Sequence, residues 1–485
     1  MRHPATLLFA KFAEPPLPSP DDATIDRTGI YSRQVRGPGG AFIGRDVVPL
    51  WIADMEFAAP RPVIDAVVER ARHGVYGYTD CPPELTEATI ERLSSVYGSA
   101  VPPEASWFRW LPGLVPGLNH AVRAWCAHGS GDAVAVTTPI YPPFLAAAAN
   151  NGARLHRVPL AEVRSGAGGT SSSLRYEIDW AAMEAALAAP ETKLLLWCNP
   201  HNPTGRCWSR AEMARLAALC VANDVALCSD EVWGEVPLEA EAAPFTSALA
   251  LLDPTEADGA VAAADGGGGA GPAKRARKDG GVGASAGSAG DDSVGPVPGL
   301  LERLVVLTSP SKCFNVASLD VALAVVPHAP SFARFRGAGR DAAEVTPLGF
   351  AACLAAYAEP EAEAWRQRLL AYLRANRDLA AAVLGTLPGV RATTPEASYL
   401  MWIDATDAVA SAVAELSAGH PSRAKGRGPV TAAEHLLAHG VGLSAGEDFG
   451  TTTGFARLNL ACTRATLERG LERICEALGE PLPSD

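Results

Sequence analysis

LLLWCNPHNPTG, residues 194–205, sets a continuous apolar run of strand length directly against a polar, proline-rich turn. The run has no in-out alternation, which suits a strand buried on both faces, as in a parallel sheet covered by helices. AVAVT (133–137), VALCS (225–229), LVVLT (304–308) and VALAVV (321–326) are runs of the same kind. Between them, Ser209 to Asn223 reads as a helix. It opens on Ser209-Arg210-Ala211-Glu212, a capping-box pattern in which each side chain satisfies a free backbone N–H. Met213, Leu216, Leu219 and Cys220 then mark one face. Strand–helix–strand order predicts βαβ units and a doubly wound α/β fold with a mostly parallel central sheet covered by helices. After Pro347 the chain turns to long Ala/Leu/Glu helices with a short strand candidate at Tyr399–Ile403, which predicts a smaller α+β domain. The expected organisation is an N-terminal segment (1–50) packing with the smaller domain, a large domain (51–345) and the smaller domain itself (346–485).

The whole chain has 485 residues, 48% of them hydrophobic and 20% charged, enough apolar material for a sizeable core. Lys and Arg number 41 against 54 Asp and Glu, and the net charge of −13 argues against nucleic-acid binding by the chain as a whole. No apolar run approaches the roughly 18–20 residues of a membrane helix, and the N-terminal apolar patch is too short for a secretory signal. The ten cysteines form no CxxC pair, so the expectation is a reducing compartment without disulfides, the cytoplasm. No grouping suggests a metal site.

Three stretches depart from the rest. Asp253–Gly299 is rich in Gly, Ala and Ser, no aromatic occurs between Phe245 and Phe314, and the stretch reads as a disordered insertion. Within it Lys274, Arg275, Arg277 and Lys278 form a basic cluster. The cluster reads as a solvated charge run, or alternatively as a nuclear-import signal or a contact for an anionic partner. Ser165–Ser173 and Ser417–Pro429 read as smaller insertions.

In open parallel sheets, ligands sit beyond the carboxyl ends of the strands. After LLLWC comes Asn199 to Gly205; after VALCS, Asp230-Glu231-Val232-Trp233; after LVVLT, Ser309-Pro310-Ser311-Lys312; after AVAVT, Thr138-Pro139-Ile140-Tyr141. An amide, a carboxylate, a lysine and an aromatic therefore converge on one sheet edge. That set suits pyridoxal 5'-phosphate (PLP). A lysine amine forms a Schiff base with an aldehyde. A buried Asp keeps a pyridinium nitrogen protonated, so that the ring accepts electrons. An Asn amide donates to the phenolate oxygen, an aromatic stacks on the ring, and hydroxyls with the free N–H groups of a helix start hold a phosphate.

NPHNPTG (199–205), SDEVW (229–233) and SPSKCFN (309–315) resemble the fold-type I PLP enzymes of the class I/II aminotransferase superfamily, over about Asp26 to Leu478 outside the insertions. The resemblance implies an aspartate aminotransferase-like fold and a role for each matching residue. Lys312 is implied as the Schiff-base lysine and Asp230 as the ring-nitrogen partner. Asn202 would contact the ring oxygen and Tyr141 would stack on the ring. Ser309 with the backbone of Gly113, Leu114 and Val115 would form the phosphate cradle. Tyr78 would reach the phosphate of a neighbouring subunit, which implies a homodimer. Arg457, with Ala53, would take the substrate carboxylate; a bidentate guanidinium–carboxylate pair is the physical reason for Arg there. PLWIADMEF (49–57), HGVYGY (73–78), TPIYPPF (138–144) and GFARLNLACTR (454–464) are similar to the cystathionine β-lyase branch of the MalY/PatB type.

Some positions depart from the aminotransferase pattern. Trp233 stands where a tyrosine is common and Asp320 where a phosphate-binding arginine is common; Glu56 and Ala445 replace Asp and Pro. Asp320 beside a phosphate would be unfavourable, so either it points away or PLP affinity falls. The resemblance implies a carbon–sulfur β-lyase that releases a thiol, pyruvate and ammonia from cystathionine or a cysteine S-conjugate. An aminotransferase working on an L-amino acid and a 2-oxo acid is the alternative, and a non-catalytic regulator that keeps the fold is a third reading. Trp233 and Asp320 favour the lyase.

Overall fold

The structure is a computed structural model and describes residues 9, 11–19, 27, 30–165, 173–239, 245–256, 294–419 and 430–479. Its centre is a seven-stranded sheet in the order Phe108–Leu111, Ala322–Val325, Leu304–Thr308, Ala226–Asp230, Thr192–Cys198, Ala133–Thr138, Arg154–Pro159. Ala322–Val325 runs antiparallel to both its neighbours, and every other pairing is parallel. All five apolar runs lie in this sheet, and the edge strands Phe108–Leu111 and Arg154–Pro159 are additions that a search for apolar runs passes over.

The lack of alternation has a direct cause. Leu194 and Leu196 face a core shared with Leu118, Ala121 and Val122 of the helix Leu114–Trp125. Leu195 and Trp197 face a second core with Met213, Leu216 and Cys220 of the helix Arg210–Ala222. Successive side chains of one strand thus enter two different cores, and all four are fully buried. Each contributes about 1.5–3 kcal/mol relative to exposure. The capping box of the second helix is present: Ser209 Oγ accepts from Glu212 N at 3.2 Å, and Glu212 Oε2 accepts from Ser209 N at 2.7 Å.

A second, six-stranded sheet runs Ser444–Ala445, Phe455–Asn459, Leu400–Asp404, Arg391–Ala392, Ser173–Glu177, Ala161–Ser165. The hairpin of Ala161–Ser165 and Ser173–Glu177 reaches it through the pair Ala392↔Ser173, so this sheet draws on both sides of residue 345. Residues 166–172, the centre of the small insertion expected here, lie outside the described residues. Val48–Pro49 pairs in parallel with Val441–Gly442 and ties the N-terminal segment to the C-terminal part.

The Asp253–Gly299 block is corrected at both ends. Val297 is buried and its N–H reaches Leu251 O at 2.8 Å, while Gly299 N donates to Glu256 Oε1 at 2.8 Å. These ends belong to the fold because a buried valine and two satisfied amides offset their ordering entropy. Residues 257–293, with the basic cluster, lie outside the described residues. The helix Thr406–Gly419 likewise extends into the stretch expected to be an insertion from Ser417, whose remainder is outside the described residues. All ten cysteines are free, and only Cys81 is not buried. No helix among the described residues is long and apolar enough to cross a membrane, and these residues contain no metal-ligating cluster of three or more groups.

Candidate active site

Asp230 is the last residue of its strand, and its backbone carbonyl accepts from Asn199 N at 2.9 Å, which joins two neighbouring strand ends. The turn after Asn199 is held tightly. His201 N donates to Arg206 O at 2.8 Å and Gly205 N to His201 O at 2.7 Å. Gly205 has φ +71°, and a Cβ there would lie 2.4 Å from Pro395 Cβ, so both backbone conformation and space demand glycine. His201 is buried beside Thr204 and Trp208, and burial pushes its pKa down to about 3, so it is a neutral packing element. This scaffold delivers Asn202, whose Oδ1 accepts from Arg457 Nη1 at 3.0 Å. With its oxygen so engaged, the Asn202 amide keeps two N–H donors.

Lys312 follows the strand Leu304–Thr308. Ser309 Oγ donates to Val321 O at 2.7 Å and accepts from Ser311 N at 3.0 Å. Its one proton therefore anchors the loop, a different use from the phosphate contact implied above. Lys312 Nζ donates to Ala53 O at 2.8 Å and lies 5.9 Å from the Trp233 ring centroid. Burial lowers the lysine to about 8; Arg457 pushes it further down, and Asp54 and Asp230 pull it up. Asp230 itself is 4% exposed, and burial raises its carboxyl to about 7, partly offset by the Val232 N–H at 3.2 Å and by Lys312. Glu231, directly behind, is also raised to about 7 by burial and accepts from Ser229 Oγ and Ala248 N.

Arg457 sits on the strand Phe455–Asn459 of the second sheet. Its Nη2 donates to Trp51 O at 3.0 Å and to Ser444 Oγ at 3.3 Å, and its guanidinium carbon lies 4.8 Å from the Phe449 ring centroid. It is 4% exposed, burial lowers its pKa to about 10, and its Nε has no hydrogen-bond partner among the described residues. Tyr141, half-buried at the start of the helix Pro142–Asn150, shares a cavity of about 440 Å³ with Arg457. Gly113 caps the helix Leu114–Trp125 without a side-chain bond, and a Cβ there would meet only Pro116 Cδ at 3.6 Å. The first amides of that helix have no partner within it.

Lys312, Ala53, Asp230, Asn202 and Arg457 are thus linked by contacts or by charge, with Tyr141 on the adjoining cavity wall. Tyr78 is not part of this group. It is 98% exposed among the described residues. Trp233 is buried edge-on against Tyr399 at 4.7 Å, and Asp320 is exposed in a left-handed conformation (φ 52°).

Two residues inside quoted motifs have roles that motif reading passed over. Asn459 Nδ2 donates to Ile52 O at 2.6 Å and Asp54 O at 2.7 Å. Asn315 Nδ2 donates to Met55 O and Phe57 O while its Oδ1 accepts from Met55 N. The two amides clamp the segment that presents Ala53 O to Lys312. Their signal was the position of each asparagine three or two residues beyond Lys312 and Arg457. Tyr399, whose hydroxyl donates to the same Ala53 O at 3.4 Å, carried no such signal.

The residues fit PLP. The site offers an amine of lowered pKa, a buried carboxylate, an amide donor beside an arginine with an unpartnered Nε, and an open helix start.

Comparison with known proteins agrees with this donor set. The cystathionine β-lyase PatB of Bacillus subtilis is 31% identical over 94% of this chain and 99% of its own length. A PLP-bound C–S lyase from Staphylococcus hominis superposes with a TM-score of 0.71 at 25% identity, over 94% of this chain and 97% of that one. An aspartate aminotransferase variant from Thermus thermophilus, 20% identical, shares the fold with a TM-score of 0.64 over 88% and 96% of the two chains. The model of the family "Aminotransferase class I and II" matches residues 45–474, and the chain belongs to that family.

Proposed function

We propose that the chain is a PLP-dependent carbon–sulfur β-lyase acting on cystathionine or cysteine S-conjugates. The observation that carries this reading is the Lys312 amine, lowered to about 8 and held 2.8 Å from Ala53 O between the charges of Asp230 and Arg457. Lys312 would carry the cofactor and Asp230 would face its ring nitrogen. Asn202 and Tyr141 would hold the ring's oxygen and face, and the helix start at Gly113, Leu114 and Val115 would hold its phosphate, with Ser309 bracing the loop. When bound, PLP supplies an aldehyde carbon for the substrate amine and a ring that accepts the electron pair released at Cα.

The chain's own residues do the rest. Arg457 binds the substrate carboxylate, and its unpartnered Nε is the free donor for a second hydrogen bond. The Ala53 carbonyl is turned to the lysine, which leaves the N–H of that residue for the carboxylate. At pH 7 a lysine of pKa about 8 is unprotonated in about one molecule in ten, and that free amine takes the Cα proton. The carbon–sulfur bond breaks with its electron pair on sulfur. Water completes the balance, giving one thiol, one pyruvate and one ammonia per conjugate.

A homodimer fits the surface. Val75, Tyr76 and Tyr78 are 61%, 60% and 98% exposed on one segment, a run of large apolar side chains that a second copy would cover. Ten unpaired cysteines suit a reducing compartment such as the cytoplasm. The test is incubation with L-cystathionine in the absence of a 2-oxo acid. Equal release of thiol and pyruvate is expected. A strict requirement for an acceptor identifies an aminotransferase instead, and absence of both products with and without acceptor refutes either activity.

A further inference from the structure

Trp233 takes no part in any step assigned above. It stands three residues after Asp230, on a turn that two hydrogen bonds hold: Val232 N donates to Asp230 Oδ1 at 3.2 Å and Gly234 N to Glu231 O at 2.9 Å. One turn therefore delivers a carboxylate and an indole to the same lysine. The indole is 2% exposed and packs at 83° against Tyr399, with ring centroids 4.7 Å apart. Lys312 Nζ lies over it, 5.9 Å from the ring centroid. The Tyr399 hydroxyl donates to Ala53 O at 3.4 Å, and the same carbonyl accepts from Lys312 Nζ at 2.8 Å. Amine, carbonyl, phenol and indole thus form a closed circuit of contacts.

The other groups around the amine leave its charge poorly compensated. An ammonium has three N–H donors, and Ala53 O is the one hydrogen-bond acceptor of Nζ among the described residues. Asp54 is already paired with Arg27 at 2.6 Å, and burial pushes Asp230 toward neutrality. Arg457 repels the ammonium, and burial keeps the Tyr399 phenol and the Cys313 thiol neutral. The negative face of an indole attracts a cation within about 6 Å of its centroid, most strongly where water is excluded.

We infer that the Trp233 face and the Ala53 carbonyl form a seat for the Lys312 ammonium, and that Trp233 is a positioning residue for the amine that substrate frees. The consequence for catalysis rests on the lyase reading; the seat itself belongs to the chain. When the free amine takes the Cα proton it becomes an ammonium, and the seat stabilises that charge where the amine already rests.

Seating and simple space-filling predict opposite signs. If the ring seats the ammonium, its removal lowers the lysine pKa by about half a unit to one unit, the separation being near the outer limit of the interaction. If the ring only fills space, its removal admits water, relieves the burial that holds Lys312 at about 8, and raises the pKa.

The test labels the full-length, cofactor-free protein with acetic anhydride across a pH series and quantifies the Lys312 peptide by mass spectrometry. The side chain is half-buried, which leaves it open to so small a reagent. Trp233→Leu is expected to lower the labelling midpoint by about half a unit to one unit, and Trp233→Phe by less, because a phenyl face attracts a cation more weakly than an indole face. The Phe variant carries the test should the Leu variant fold poorly. In the holoenzyme saturated with L-cystathionine, the rising limb of kcat should move to lower pH with the midpoint. A midpoint unchanged or raised in the folded variants overturns the inference, and thiol release then leaves the lyase reading intact. A lowered midpoint without thiol release from the parent protein supports the seat and overturns the lyase reading alone.

Discussion

Replacing Asp230 with Asn is expected to stabilise the cofactor-free protein at neutral pH while abolishing its activity. Burial raises the Asp230 carboxyl from 3.8 to about 7. Its folded-state pKa is therefore above its unfolded value, and the folded chain binds more protons between about pH 4 and pH 7. Stability falls as pH rises through that window, and the full cost is present above pH 7. About three pKa units correspond to roughly 4 kcal/mol, an upper bound set by a side chain that is only 4% exposed. Asn is nearly isosteric and its Oδ1 can keep the Val232 N–H, but it carries no charge to desolvate. Urea unfolding of both cofactor-free proteins at pH 4, 6 and 8 measures the effect. Near pH 4 the two should unfold alike. By pH 8 the variant should be more stable by up to about 4 kcal/mol. Its lyase activity should fall by at least about a hundredfold, because no carboxylate then faces the ring nitrogen. A variant that is less stable at pH 8, or whose advantage does not change with pH, refutes the reasoning.

Three further outcomes follow from the same geometry. The kcat profile, which reports the enzyme–substrate complex where substrate has freed the lysine, should rise with pH through a value near 8 as Lys312 loses its proton, and Arg457→Met should move that limb to higher pH by removing the second-largest influence that lowers it; an unmoved limb assigns the ionisation to another group. Gly205→Ala should destabilise the fold by about 2 kcal/mol or more, measured by urea unfolding, since its Cβ would lie 2.4 Å from Pro395 Cβ at φ +71°. Asn459→Ala should cut kcat about tenfold or more while the cofactor still binds, because two carbonyls of the segment carrying Ala53 lose their donor; retention of full kcat would show that Asn315 suffices as a clamp.

Much of this was legible in local pattern. Leu194 to Trp197 announced a doubly covered strand because side chains alternate across a sheet, so a run without polar gaps is possible only where both faces meet a core. The helix from Arg210 was legible because a capping box is a contact between residues three apart. Phe108–Leu111 and Arg154–Pro159 escaped the same reading. They are edge strands, and half-buried Arg109 with exposed Arg154 and Arg157 break the apolar run without interrupting the ladder. The hairpin Ala161–Glu177 was missed because its partner strand, Arg391–Ala392, is more than two hundred residues away.

At the site, the sequence by itself named the residue types at the strand ends and therefore the chemistry: an amine, a carboxylate, an amide and an aromatic on one sheet edge. Those choices are local, since each side chain is the first polar group after a buried strand. Only the tertiary structure decided how they act on each other. Burial, a property of the whole fold, moves Lys312 and Asp230 toward neutrality in opposite directions. Arg457 meets Asn202 because two separate sheets bring residues 255 positions apart to within 3.0 Å. Ser309 turns its proton to Val321, and Tyr78 leaves its own chain's site altogether. Desolvation, charge and hydrogen bonding act through space, and the distances that govern them are set by packing between segments remote in sequence.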